Sequence, residues 1–336
     1  MPPRYLENAH IQSIMNSVGP RKFRAKKIAR QLKSKQIIIK TIDGVRLTAE
    51  YDISPIKTSS KTAENLVVLI HGWEGSSQSA YQVTTAHTLL MAGYNVLRLN
   101  LRDHGESHHL NKEVFNSTLT KEVGDAIKSF TSQYNFKYIY LAGFSLGANF
   151  TLRIAADRAK ELGLRAAVGI CPPIDPNAAM IELNKSLFIY EKYFLRRWTR
   201  SLTKKLYHFP ELNFGSELAQ VKNLDDVNKT FVPKFTPFQD AKAYFSSYAL
   251  VGDRLKGLEI PAYIISAEND PILPRADLSK IPKIDNLTVE LHPNGGHCGF
   301  ISDLKGASWI EGRLVQIFDE SLSLIHISEP TRRYAI

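Results

Sequence analysis

The sequence predicts an α/β fold, a mostly parallel β-sheet covered by helices on both faces, with a helical insertion between the sixth and seventh strands. Three observations predict it. Short apolar runs rich in β-branched residues alternate with helix-spaced segments over most of the chain. The run Leu66-Val67-Val68-Leu69-Ile70 is apolar at every position, as a strand buried on both faces must be. Finally, Gly143-Phe144-Ser145-Leu146-Gly147 joins an apolar run to a helical segment, which sets a serine on a sharp strand-to-helix turn.

The elements follow in order. Gln36 to Lys40 and Val45 to Tyr51 alternate in strand fashion around a turn at Asp43-Gly44 and predict a hairpin. Residues 54–64 are polar and read as a loop. Leu66 to Ile70 is the third strand and ends in His71-Gly72; Ser79 to Met91 is a helix closed by Gly93. Tyr94 to Leu101 is the fourth strand, Leu119 to Tyr134 has helical spacing, and Tyr138 to Ala142 is the fifth strand. The helix Leu146 to Arg158 follows the serine, and Arg165 to Cys171 is the sixth strand. Alternation then stops: residues 172–257 are mostly helical, rich in aromatic and basic residues, and read as a cap over the strands' carboxyl ends. Strands at Ala262 to Ser266 and Leu287 to Leu291 and a helix from Ala307 to Asp319 complete the pattern. The expected organisation is a basic leader over residues 1–35, an α/β core over 36–171 and 258–320, and the insertion over 172–257.

A chain of 336 residues with 43% hydrophobic and 23% charged content has enough apolar material for a large soluble core. No apolar run approaches the roughly 20 residues that span a bilayer. Met1 to Tyr5 lacks a secretory h-region, and Cys171 and Cys298 are expected to form no metal-spaced or redox pair, so the expected location is cytoplasmic. The net charge of +10 is local: residues 1–40 hold ten lysines and arginines against Glu7 alone. The simplest reading is a solvated basic helix packed along one edge; peripheral contact with an anionic membrane surface is the second reading. No nucleic-acid motif accompanies the charge, and no nucleic-acid partner is expected. Residues 322–336 resemble the translation of a transposase adapter used to build sequencing libraries and are expected to be a non-native tail.

A serine hydroxyl is a weak nucleophile near neutral pH, so Ser145 needs a base, and the base needs an orienting acid. On a sheet of this kind the partners follow in the order serine, acid, histidine, on loops after late strands. Asp270 lies in the loop after the seventh strand and His297 in the glycine-flanked loop after the eighth, which makes Ser145, Asp270 and His297 the expected triad. Glu268 and Asp103 are the rival acids, and His292 reads as structural. His104, His108 and His109, near Asp103 and Glu106, have no zinc spacing and read as a polar loop; Cys298 reads as a small packing residue. An oxyanion needs preorganised N–H donors. The expected ones are the backbone N–H groups of Leu146, at a helix start, and of Trp73, in the loop His71-Gly72-Trp73-Glu74-Gly75. No cofactor and no metal are expected.

At these residues the chain resembles an α/β-hydrolase, and more closely the YheT-like (AB-hydrolase-4) family. Asn8-Ala9-His10-Ile11-Gln12-Ser13 resembles that family's Asn-Pro-His-Leu-Gln-Thr opening; His71 to Ser76 resembles its His-Gly-Leu-Glu-Gly-Ser; Gly143 to Asn149 resembles its Gly-Tyr-Ser-Leu-Gly-Gly-Asn. Phe238-Gln239-Asp240 resembles its cap segment. Ala9 and Ala148 depart from the pattern, and Arg102 to Ser107 is closer to a general hydrolase turn. The resemblance implies the α/β-hydrolase fold, the same three residues as nucleophile, acid and base, and ester hydrolysis or acyl transfer on medium-chain esters and lipids. The expected activity is that of a serine carboxylic-ester hydrolase working through an acyl-enzyme, with a small acyl ester or lipid as substrate. In it Leu187, Phe188, Tyr190, Tyr193, Phe194 and Trp198 offer an apolar acyl wall. An alcohol acyltransferase or thioesterase with the same residues is the alternative, and a non-catalytic lipid- or partner-binding protein on this scaffold the remote one.

Overall fold

Eight strands form one sheet in a computed structural model of the protein, which describes residues 4–56 and 64–328. The strands are β1 (Lys35–Lys40), β2 (Arg46–Asp52), β3 (Asn65–Ile70), β4 (Asn95–Leu99), β5 (Tyr138–Phe144), β6 (Leu164–Ile170), β7 (Ala262–Ala267) and β8 (Leu287–His292), in the spatial order β1-β2-β4-β3-β5-β6-β7-β8. The hairpin β1–β2 and the β2–β4 pair are antiparallel; the remaining neighbours are parallel. The helices are α1 (Ala9–Met15), α2 (Pro20–Gln31), α3 (Ala80–Met91), α4 (Thr120–Thr131), α5 (Leu146–Leu162), α6 (Pro176–Lys185), α7 (Phe188–His208), α8 (Gly215–Gln220), α9 (Leu224–Phe235), α10 (Ala241–Ser247) and α11 (Trp309–Ser328).

The two-faced burial read from Leu66 to Ile70 is visible residue by residue. Every side chain of that run is fully buried. Leu66, Val68 and Ile70 join a core with α4 and α5, whereas Val67 and Leu69 join the opposite core with α3 and α11. At about 1.5–3 kcal/mol per fully buried aliphatic side chain, this strand alone strongly favours its central place in the sheet. Five helices, α6 to α10, run between β6 and β7.

The basic leader is the expected helix packed along one edge, with Lys22, Lys26, Lys27 and Arg30 of α2 exposed, but it is also anchored in the core. Arg21, on α2, is fully buried, where its guanidinium meets Glu311 at 3.0 Å and Asn16 Oδ1 at 2.7 Å. Ala25 and Ile28 of α2 pack on Ala80 and Val83 of α3. The basic count hid the one arginine that turns inward. The helix α11 continues through Ser328, into the segment read as non-native; residues 329–336 lie outside the described residues, as do Met1 to Pro3 and residues 57–63 of the expected loop. Among the described residues no helix is long and apolar enough to cross a membrane.

Candidate active site

The parallel strands end at one rim, and the loops leaving β3, β5, β7 and β8 meet there. Ser145 sits between β5 and α5 at φ 53° and ψ −119°, held by its own N–H donating to the Ile170 carbonyl at 2.8 Å. Such a backbone is costly for any residue with a side chain and persists only where the surroundings enforce it. The glycines on either side make the turn sterically feasible. A Cβ at Gly143 would lie 2.2 Å from the Gly147 carbonyl oxygen, and one at Gly147 would lie 2.4 Å from the carbonyl oxygens of Ile70 and His71.

Three residues that are far apart in sequence come together at this turn. Ser145 Oγ lies 2.8 Å from His297 Nε2, and His297 Nδ1 lies 2.8 Å from Asp270 Oδ2. The other carboxylate oxygen of Asp270 accepts from the N–H groups of Ile272 and Leu273 at 2.9 and 3.0 Å, which orients the acid. Burial disfavours a charged imidazole, but Asp270 and the adjacent Cys298 thiol hold His297 well above its ordinary pKa. The rival acids are engaged elsewhere. Glu268 faces Arg275 at 3.5 Å, and Asp103 forms a buried pair with Lys205 at 2.7 Å.

Leu146 opens α5, so its N–H is one of those that a helix start leaves without an intrahelical acceptor. Trp73 lies in the loop after β3, and both residues border the cavity beside Ser145. This loop is braced by two buried histidines. His71 bonds the Gly72 carbonyl at 2.8 Å through Nδ1 and accepts from the Leu101 N–H at 3.1 Å through Nε2. His104 bonds the Arg102 carbonyl at 2.7 Å and accepts from the Glu74 N–H at 3.1 Å. Burial lowers the pKa of both, His104 to about 4, so each stays neutral and keeps an accepting nitrogen. The expected polar loop is a loop, but not an exposed one: His104 and His108 are buried, and burial takes His108 down to about 3. Sequence reasoning saw a histidine cluster but not the loop that it supports.

The cysteines, far apart in sequence, are neighbours in space. Although they are 127 positions apart, the Cys298 N–H donates to Cys171 Sγ at 3.3 Å. The two thiols and a ring nitrogen of His297 all lie within 4.8 Å of one another. Both cysteines are free. The proximity arises because the loop after β8 reaches past β7 to the end of β6, and no local pattern announces it.

The N-terminal segment, which carried no expected site residue, also reaches the site. The His297 N–H donates to Ser13 Oγ at 2.8 Å, and that hydroxyl donates to the Ala9 carbonyl at 2.7 Å. Gln12, fully buried, bonds the Leu6 and Ile301 carbonyls at 2.6 and 3.0 Å and accepts from the Ile301 N–H at 2.6 Å. The sole sequence signal was the Asn8-to-Ser13 motif itself, which has no chemistry legible without its partners.

Two cavities flank Ser145. The wider, about 610 Å³, is bordered by Ser13, Ile14 and Val18 of the N-terminal segment, by Lys22 and Lys26 of α2, and by Tyr190, Tyr193 and Phe194 of α7. The narrower, about 120 Å³, is bordered by Phe115, Met180, Leu183, Trp198, Tyr244 and Phe245. The Trp73 indole stacks on Phe194, with ring centroids 5.0 Å apart and planes 9° from parallel, at residues that border both. Leu187 and Phe188, expected in an acyl wall, border neither cavity and face outward.

A model of the family described as alpha/beta hydrolase fold matches residues 65–304. The chain is 25% identical over 331 residues to YheT of Escherichia coli (strain K12), covering 94% of this chain and 91% of that one. It is 21% identical over 287 residues to the monoacylglycerol lipase of Saccharomyces cerevisiae, covering 80% of this chain and 62% of the lipase. Among solved structures, the Pyrococcus furiosus esterase Pf2001 superposes with a TM-score of 0.59 at 18% identity, over 96% of both chains. With more than half its length matched by the family model and its sheet in the arrangement described above, this chain is a hydrolase that belongs to the α/β-hydrolase family and is YheT-like.

Proposed function

We propose that the protein is a serine carboxylic-ester hydrolase in which Ser145, His297 and Asp270 form the catalytic triad. The observation that carries this reading is the continuous relay Ser145–His297–Asp270, with both contacts at 2.8 Å, opening onto two cavities. The similarity to a monoacylglycerol lipase and to an esterase structure supports an ester as substrate.

Ser145 Oγ attacks the acyl carbon while His297 Nε2 takes its proton. The N–H groups of Trp73 and Leu146 receive the oxyanion; losing one such donor typically costs about 3 kcal/mol of transition-state stabilisation. His297 returns the proton to the leaving alcohol, then activates water to release the acid, while Asp270 holds the imidazole tautomer. The acyl group must remain in place while the alcohol leaves and water enters. The narrow apolar cavity suits the acyl chain, and the wide one suits the alcohol and the entering water. The reading therefore favours short- to medium-chain acyl groups.

A fluorophosphonate probe should label the wild type and not Ser145→Ala, and p-nitrophenyl esters should be cleaved fastest at short to medium chain lengths. A wild type that ignores the probe overturns the reading. The breadth of the wider cavity favours one alternative, transfer of the acyl group to an alcohol seated there. Ethyl ester exceeding free acid when ethanol is added would establish it.

A further inference from the structure

We propose that the mouth of the wider cavity docks onto an anionic lipid bilayer, so that substrate enters Ser145 from the membrane face. The inference goes beyond ester hydrolysis; the entry of substrate rests on that reading, whereas docking itself does not. Single exposed apolar side chains are ordinary on a protein surface, but a group of them around one opening is not. Here Ile14 and Val18, from the N-terminal segment, and Ile189 and Tyr193, from α7, all border the cavity of Ser145 while each stays exposed to solvent. Phe188, at the first turn of α7, is 69% exposed beside them. The two sides of the mouth are joined by the His10 ring, whose Nδ1 lies 3.0 Å from the Tyr190 hydroxyl.

The charge around this opening selects the occupant. Helix α2 carries six basic residues and no acidic one over Pro20–Gln31, and its exposed Lys22 and Lys26 border the same cavity. On α7, Lys192 and Arg197 lie over the rings of Phe188 and Tyr193 at 5.0 and 5.4 Å, which places cations directly beside the apolar side chains. Among the described residues no carboxylate forms an ion pair with Lys22, Lys26 or Lys192, so their charge is available to a partner. Aliphatic and aromatic groups interleaved with exposed lysine and arginine match a leaflet of anionic lipids, where the apolar tips enter the acyl boundary and the cations meet phosphate. A second protein copy would have to offer a matching acidic surface, whereas this mouth is basic on both sides.

The test is co-sedimentation of the full chain with phosphatidylcholine vesicles with and without phosphatidylglycerol, at low and high salt. Binding does not use the serine hydroxyl, so Ser145→Ala serves equally well, and failure of docking is distinguishable from failure of the esterase reading. Each basic side chain near a charged surface changes partitioning by about fivefold. Reversing one charge and removing one aromatic, in the double variant Phe188→Ser and Lys192→Glu, should weaken binding by at least tenfold. Tyr207→Ser, at the far end of α7, should leave it unchanged. Thermal melts check that each variant folds. The proposal is supported if only the anionic vesicles bind, salt releases them and the double variant is impaired. It is overturned if neutral vesicles bind equally, if nothing sediments, if the double variant binds like wild type, or if the protein is a dimer in solution that Phe188→Ser dissociates.

Discussion

Replacing Ser13 by alanine should slow the enzyme although Ser13 lies 132 positions from the proposed nucleophile and outside the triad. The hydroxyl is the acceptor for the backbone N–H of His297 at 2.8 Å, and its own proton is held by the Ala9 carbonyl at 2.7 Å. Helix α1 is pressed onto this loop: a Cβ at Gly296, where φ is +54°, would lie 2.4 Å from the Ala9 carbonyl oxygen and 2.7 Å from Gln12 Cβ. In Ser13→Ala the N–H has no acceptor, and the tight contact leaves little room for another. An unmet buried donor costs about 1–3 kcal/mol, and because this bond is only partly buried the lower half of that range applies. About 1.4 kcal/mol, spent on keeping His297 in its productive position, is a tenfold loss of rate. The assay is the rate of fluorophosphonate labelling together with kcat for a p-nitrophenyl ester, each beside a thermal melt. Ser13→Thr keeps the acceptor and should restore most of the rate, which a purely structural effect of losing the side chain would not require. Labelling within twofold of wild type in Ser13→Ala, or equal impairment of Ser13→Thr, refutes the reasoning.

His297 is held above its ordinary pKa and, in the proposed mechanism, must be neutral to accept the serine proton, so the acid limb of the kcat/KM profile should lie above about pH 6.5. Burial works to raise the Cys298 pKa, but Cys171 and the imidazole outweigh it and bring it to about 6, which leaves negative charge beside His297. Cys298→Ala removes that charge and should move the acid limb to lower pH; a limb that stays put contradicts the coupling. Arg21→Ala leaves Glu311 with Arg24 alone, so the loss should approach but not exceed the about 3–5 kcal/mol of breaking a buried pair, measurable as a fall in the denaturant midpoint. A midpoint shift under about 1 kcal/mol would place the leader's anchorage elsewhere. Gly147→Ala forces a methyl against two backbone carbonyl oxygens at 2.4 Å, so it should cost about 1–3 kcal/mol of stability and abolish probe labelling. Normal labelling in that variant would mean that the turn tolerates a different path.

The strands, their order of appearance and the residues of the relay were legible because each is written locally. Two-sided burial leaves an unbroken apolar run, as at Leu66 to Ile70, and a sharp turn demands glycine on both sides of Ser145. Asp270 and His297 were reachable because they follow strands whose place in the chain is regular. What the sequence determined is thus the set of elements and the residue types at their ends. Tertiary structure alone decided which distant groups touch. Cys171 meets Cys298 because the loop after β8 reaches past β7 to the end of β6. Ser13 holds His297 because α1 folds back across that loop. Arg21 turns inward among basic neighbours because Glu311 waits on α11. The physical reason is that periodicity and turn chemistry act over a few residues, whereas hydrogen bonds and ion pairs between elements depend on how the sheet and its helices pack, which no short window of sequence encodes.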